Sequence, residues 1–296
     1  MGDPFDIPDV KTLSAETIAE INGLRTPMAQ ASFSRLEYYK NCPKAFEHKY
    51  VHRTKTLEAP QMKDRFGNVK QPAWQRGSVI HQAMDDYIND VRQDLIPELL
   101  DLKHEIEDAK ELMKLNPARV LTEQNKYFDI DYNLIDMASL SEEDKSVTSG
   151  GDVCPKHYHV LIIIDLLIFN EDFTEAKVID LKSGKMHHVK HQSQTQLYAL
   201  FTAIEYPDVQ KLTTQLWYCD QGGAIRAKEY SRENILIYLN FWSRRISLMH
   251  QDLTFRENPH EQTCMFCDYG QEKHSNKWVN KNGACSLSLD KRDRIA

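Results

Sequence analysis

Asp165, Asp180 and Lys182 are the residues of this chain best spaced to do chemistry together. The apolar segments 157–169 and 176–182 flank a turn-like stretch over 170–175. Folding back across that turn makes an antiparallel hairpin, with Asp165 five residues before the turn and Asp180 five after it. Residues opposed in such a pair have Cβ atoms roughly 5 Å apart. Lys182 lies two residues beyond Asp180, so strand alternation puts both on one face. Converging carboxylates repel, and burying them without a partner is costly, so the arrangement calls for a cation. Oxygen ligands suit Mg2+ or Mn2+ better than zinc. An ammonium beside such an ion can hold an attacking water or offset charge developing on a phosphate. That is chemistry for hydrolysing a phosphodiester. An Asp and a Lys near a strand end also make ordinary surface ion pairs, and alternation alone leaves both readings open.

The elements that must position these groups follow from periodicity and punctuation. Ser34 and Glu37 form a capping-box pattern that starts a helix running to about residue 50. Residues 54–72 are polar, contain Gly67 and Pro72, and read as a loop. Val79, Ile80, Ala83, Met84, Tyr87, Ile88 and Val91 recur with helical spacing, predicting an amphipathic helix over 74–91. An acidic helix over 99–115 ends at Asn116–Pro117. Residues 120–135 predict a strand, 139–152 a loop, and 192–205 a helix. Segments 211–219 and 224–230 flank Asp220–Gly223 as a second hairpin. A helix over 231–250 and a tail with cysteines and basic residues close the chain. The order predicts one mixed α/β domain with helical additions. After an N-terminal extension over 1–30, a helical part spans 31–117, the core 118–250 and the tail 251–296.

The run from Val178 to Gly184 around Asp180 and Lys182, with Asp165 before it, resembles the PD-(D/E)XK nuclease superfamily, specifically its RecB-like branch. The likeness covers most of the chain. Ser32, Ser34, Tyr39, Cys42, Pro43 and Phe46 resemble that branch's N-terminal helix. Arg76, Gly77 and His81 match its Gly-x-x-x-His element, and Gln194 and Tyr198 its Q-x-x-x-Y helix. Cys264 and Cys267 fall where its C-terminal cysteines fall. The resemblance implies a restriction-endonuclease-like mixed β-sheet flanked by helices. It also implies a metal held by His81, Asp165, Asp180 and the carbonyl of Leu181, with Lys182 as the catalytic lysine. Gln194 and Tyr198 would orient Lys182 or contact DNA phosphate. Glu123 stands on the strand that can carry a further acidic residue in relatives. Where the family usually has a glycine just before its first Asp, this chain has Leu161–Ile164. The activity implied is a metal-dependent DNA exonuclease on ends or single strands. Settings for such proteins are phage replication and recombination or CRISPR adaptation, each with a possible partner protein. The alternative is a non-cutting DNA-binding or assembly subunit.

Some relatives staple their ends with a 4Fe–4S cluster, using one N-terminal and three C-terminal cysteines. Cys42, Cys264, Cys267 and Cys285 fit that scheme, with zinc on three cysteines and His274 as the alternative. Cys154 and Cys219 read as free thiols. Six cysteines without a signal-like N-terminus predict a reducing compartment, the cytoplasm of a bacterial, archaeal or phage-infected cell. The longest apolar run, Val160 to Ile164, is far short of the roughly 20 residues that cross a bilayer, so no membrane partner is expected. The net charge of −7 speaks against a uniformly basic surface. Locally the balance reverses. Residues 176–192 hold four lysines against one aspartate, and residues from 271 onward hold six basic against three acidic side chains. Basic stretches of this kind neutralise phosphates.

Overall fold

Helices lead into a mixed sheet in the computed structural model, which describes residues 30–54, 73–148, 151–252, 254–258, 264 and 267–269. The first are α1 (Phe33–Asn41), the short α2 (Pro43–Phe46), α3 (Ala73–Ile88) and α4 (Lys103–Leu115). Strand β1 (Val120–Phe128) follows, then the small pair β2 (Lys145–Val147) and β3 (Val153–Pro155). Next come β4 (Val160–Phe169), β5 (Glu175–Lys182), α5 (His188–Glu205), β6 (Lys211–Tyr218) and β7 (Ala224–Ser231). Helices α6 (Arg232–Leu236) and α7 (Leu239–Gln251) complete the order.

Five strands form one sheet in the order β1-β4-β5-β6-β7. β5 and β6 are parallel, while the other neighbours are antiparallel. Parallel neighbours need a crossover, and α5 supplies it. Helices cover both faces. Ile164, Val178 and Leu212 pack with Leu36, Leu197, Phe201 and Trp242 of α1, α5 and α7. Leu166, Ile179, Leu181 and Trp217 pack with Ile80, Met84 and Ile106 of α3 and α4. Burial on both faces explains why β4 reads as a continuous apolar run rather than an alternating one. This is the helix-flanked mixed sheet expected of a restriction-endonuclease-like fold.

Several boundaries depart from expectation. Ser32, not Ser34, caps α1, its hydroxyl accepting from the Arg35 amide at 3.4 Å. The helix foreseen to residue 50 breaks at Cys42, which is extended because Pro43 follows it. β1 stops at Phe128, since Asp129 Oδ1 accepts from the amides of Asp131 and Asn133 and folds the chain into a turn. The loop foreseen over 139–152 contributes β2 to a two-stranded sheet. Helix α5 starts four residues earlier than its apolar pattern, because buried His191 hydrogen-bonds Tyr218 Oη at 3.0 Å. The helix foreseen over 231–250 is split into α6 and α7.

His159, at the lip of β4, is only 6% exposed, with the His250 ring centroid 4.3 Å away. Burial pushes its imidazole down to about 4. An unfolded chain takes up that proton near pH 6.5, so between about 6.5 and 4 it binds more protons than the native state. Native stability therefore falls as pH drops through this window, by about 3 kcal/mol for this group. Melting temperatures measured from pH 7.5 to 4.5 should decline less steeply for His159→Gln than for wild type. Parallel declines would contradict the assignment.

Candidate active site

The site forms where the β1–β4 ladder opens. The paired residues on either side are Thr122 with Leu166 and Gln124 with Ile164, so the register places Glu123 opposite Asp165. That one pair is missing from the ladder. Val160, Ile162 and Ile164 belong to the core under α5, whereas Leu166 and Ile168 join the core under α3 and α4. The inward alternation of β4 thus changes phase at Asp165. Across from it, Glu123 has a left-handed backbone, φ 45°, which a residue with a side chain rarely adopts.

Both carboxylates meet His81 of α3. His81 Nδ1 lies 3.2 Å from Asp165 Oδ1 and 3.5 Å from Glu123 Oε1. One ligand atom from each of the three lies within 4.8 Å of the other two. Burial alone would lower the His81 pKa, but the neighbouring carboxylates of Asp165 and Glu123 carry it up to about 10. The cluster borders a recess of about 380 Å³ lined by Gly77, Ser78, His81, Gln82 and Glu123.

Asp165 also has a structural anchor. The β4–β5 pairing ends at Leu166 and Ile179; extended one step, it sets Asp165 opposite Asp180. There the side chain replaces the ladder, and the Leu181 amide donates to Asp165 Oδ2 at 2.6 Å. Leu181 thus anchors Asp165 through its amide, a bond that leaves the expected role of its carbonyl untouched.

Asp180 is 2% exposed and faces Lys182, whose Nζ is 2.6 Å from Asp180 Oδ2. Burial raises the Asp180 pKa; Lys182 opposes the rise and Asp165 adds to it. Lys182 Nζ also donates to Gln194 Oε1 at 3.1 Å, and Gln194 Nε2 donates to Tyr198 Oη at 2.6 Å. One turn of α5 thus fixes the lysine from behind, as the i, i+4 spacing of Gln194 and Tyr198 allows. Tyr198 stays protonated, its pKa driven up by burial and by the nearby charges of Asp180 and Asp165.

A latch that sequence reasoning missed ties the parts together. Arg76, at the start of α3, grips both oxygens of Asp220 at 2.7 and 2.6 Å. Asp220 Oδ2 also accepts from the Gly184 amide at 2.6 Å. The His81 helix, the exit of the Lys182 strand and the β6–β7 hairpin are therefore joined at one carboxylate. Arg76 and Asp220 are 144 residues apart, a separation that no local pattern bridges.

Carboxylates and an imidazole around a recess, backed by a lysine on a buried aspartate, suit a divalent cation and a phosphate. A model of the PD-(D/E)XK nuclease superfamily matches residues 30–271. The chain belongs to that superfamily. The superfamily is one of nucleases, and the Asp180-Leu181-Lys182 run has the form of the D-x-K in its name. Two solved structures are similar to this nuclease. SSO0001 is 14% identical, with a TM-score of 0.37, and the match covers 85% of this chain and 89% of that one. A candidate exonuclease from Eubacterium rectale is 10% identical, with a TM-score of 0.36 over 82% and 89% of the two chains. No curated protein matches.

Of the foreseen site residues, the nuclease brings His81 to Asp165 and Asp180 to Lys182, with Gln194 on Lys182 and Tyr198 on Gln194. Glu123 joins His81 and Asp165 as the third member of their cluster, while Asp180 stands beside that cluster rather than within it. The foreseen cysteine staple lies partly outside the described residues, which exclude Cys285 and His274. The Cys267 amide donates to the Cys264 carbonyl at 3.3 Å. Among the described residues, Cys42, Cys264 and Cys267 do not form a group whose sulfurs all lie within 4.8 Å of one another. Cys154 and Cys219 are unbridged, as expected. No helix among the described residues is long and apolar enough to cross a membrane.

Proposed function

We propose that this nuclease is a Mg2+- or Mn2+-dependent deoxyribonuclease of the RecB-like branch, acting on DNA ends or single strands. The observation that carries the reading is the Asp180–Lys182 pair set against the His81–Glu123–Asp165 cluster. The donor set fits a hard cation. Glu123 Oε1 is buried and accepts no hydrogen bond among the described residues, with His81 Nδ1 only at 3.5 Å. Asp165 presents Oδ1 to the same point while Oδ2 is held by the Leu181 amide. His81, Glu123 and Asp165, with Asp180 alongside, would hold the ion. When bound, it would supply Lewis-acid polarisation of the scissile phosphate and a more acidic water.

The chain's own groups do the rest. Lys182, fixed by Asp180 and Gln194, positions the attacking water and offsets negative charge growing on the phosphate. Asp180 keeps that ammonium aimed, and Tyr198 keeps Gln194 aimed. The connection from β5 to α5 and the first turn of α5 expose Lys185, His187, His188 and Lys190 beyond Lys182. That surface suits the phosphates of a strand leading into the site.

End dependence is tested with covalently closed and linear single-stranded DNA of one sequence, in Mn2+. Linear DNA should shorten progressively while circles persist. Equal loss of both would make the enzyme an endonuclease.

A further inference from the structure

The left-handed backbone of Glu123 sits beside an unusually complete set of hydrogen bonds to the preceding residue. The Thr122 hydroxyl donates to Asp85 Oδ1 in a short hydrogen bond and accepts from Asn89 Nδ2 at 3.0 Å. The Thr122 carbonyl accepts from Gln124 Nε2 at 2.8 Å, so the residues on both sides of Glu123 are tied together. Asp85 is itself braced. Asn89 Nδ2 donates to its Oδ1 at 2.8 Å, and Gln82 Nε2 to its Oδ2 at 3.3 Å.

Spacing explains the design. Asp85 follows His81 by four residues, so both project from one face of α3. Asp85 takes Thr122 and His81 approaches Glu123, giving two consecutive rungs between α3 and β1. A strand left to itself would keep Glu123 extended and leave it paired with Asp165 across the ladder. The rungs hold it out of that conformation, and the carboxylate turns to His81 instead. Strained backbone of this kind persists only where its surroundings over-determine it.

We propose that Thr122 and Asp85 are positioning residues: their hydrogen bond holds Glu123 in its left-handed conformation and so aims its carboxylate at the cation site it shares with His81 and Asp165. The inference rests on the cation site proposed above, and its test separates the two. Mn2+ binding to the full chain is measured by calorimetry for wild type, Thr122→Val, Thr122→Ser and Glu123→Gln, with melting temperature as a folding control. Thr122→Val keeps the shape and loses the hydroxyl, so its Mn2+ affinity should fall about 10- to 100-fold, the loss typical when a ligand's supporting partner is removed. Thr122→Ser restores the hydroxyl and should bind within about twofold of wild type, by the same reasoning. Folded Thr122→Val that binds like wild type, while Glu123→Gln is weakened, would overturn the clamp and leave the site standing. Undiminished binding by Glu123→Gln as well would overturn the site reading beneath it.

Discussion

Asp165→Asn is expected to lose divalent-cation binding and DNA cleavage together while remaining folded. The two oxygens of Asp165 have different tasks. Oδ2 accepts from the Leu181 amide at 2.6 Å, a bond that an asparagine carbonyl can retain. Oδ1 faces His81 Nδ1 at 3.2 Å and Glu123 beyond it, where an amide NH2 would place donors against a group that is itself a donor. The substitution removes charge where a cation would sit and keeps the anchor to β5. Removing an outer partner of a metal ligand costs roughly 10- to 100-fold in affinity. Loss of a ligand itself should exceed that range, with cleavage falling in parallel. Titration calorimetry with Mn2+ and cleavage of end-labelled DNA check both halves, and a melting curve checks the fold.

Lys182→Gln should separate binding from cleavage. Lys182 touches Asp180 and Gln194 but is not a member of the His81–Glu123–Asp165 cluster. Cation affinity should stay within a few-fold, while single-turnover cleavage should fall by about 10²- to 10³-fold, the usual cost of removing one preorganised donor at a developing charge. Glutamine is preferable to alanine here. Asp180 is only 2% exposed, and stripping the partner from a buried charge costs about 3–5 kcal/mol. An N–H donor at position 182 keeps that carboxylate partnered and the comparison readable.

How much of this was legible beforehand differs by residue. The hairpin was readable because two apolar runs and a polar turn leave one sensible fold-back, and the observed register does set Asp165 opposite Asp180 when extended one step. Lys182, Gln194 and Tyr198 were readable because periods of two and four residues survive in the folded strand and helix. Glu123 was foreseen from the resemblance as a candidate further acidic residue, but its left-handed backbone was not, because strict alternation says nothing about a ladder that opens at one pair. The phase change at Asp165 is likewise invisible in a run in which both faces are apolar. Arg76 with Asp220 and Asp85 with Thr122 are long-range side-chain pairs, and one sequence carries no record of which distant residues meet. Helix starts slipped for a similar reason: His191 counts as polar in a pattern, yet it is buried against Tyr218.

The central claim is that one cluster binds a divalent cation and that Lys182 uses it to cut DNA. Mn2+ affinity and single-turnover DNA cleavage, measured on the same preparations of wild type, Asp165→Asn and Lys182→Gln, test it most directly. Wild type should show both properties, Asp165→Asn neither, and Lys182→Gln binding with cleavage reduced by about two to three orders of magnitude. Wild-type cleavage rates in both folded variants would contradict the account, as would a wild-type protein that binds Mn2+ and DNA but cuts nothing.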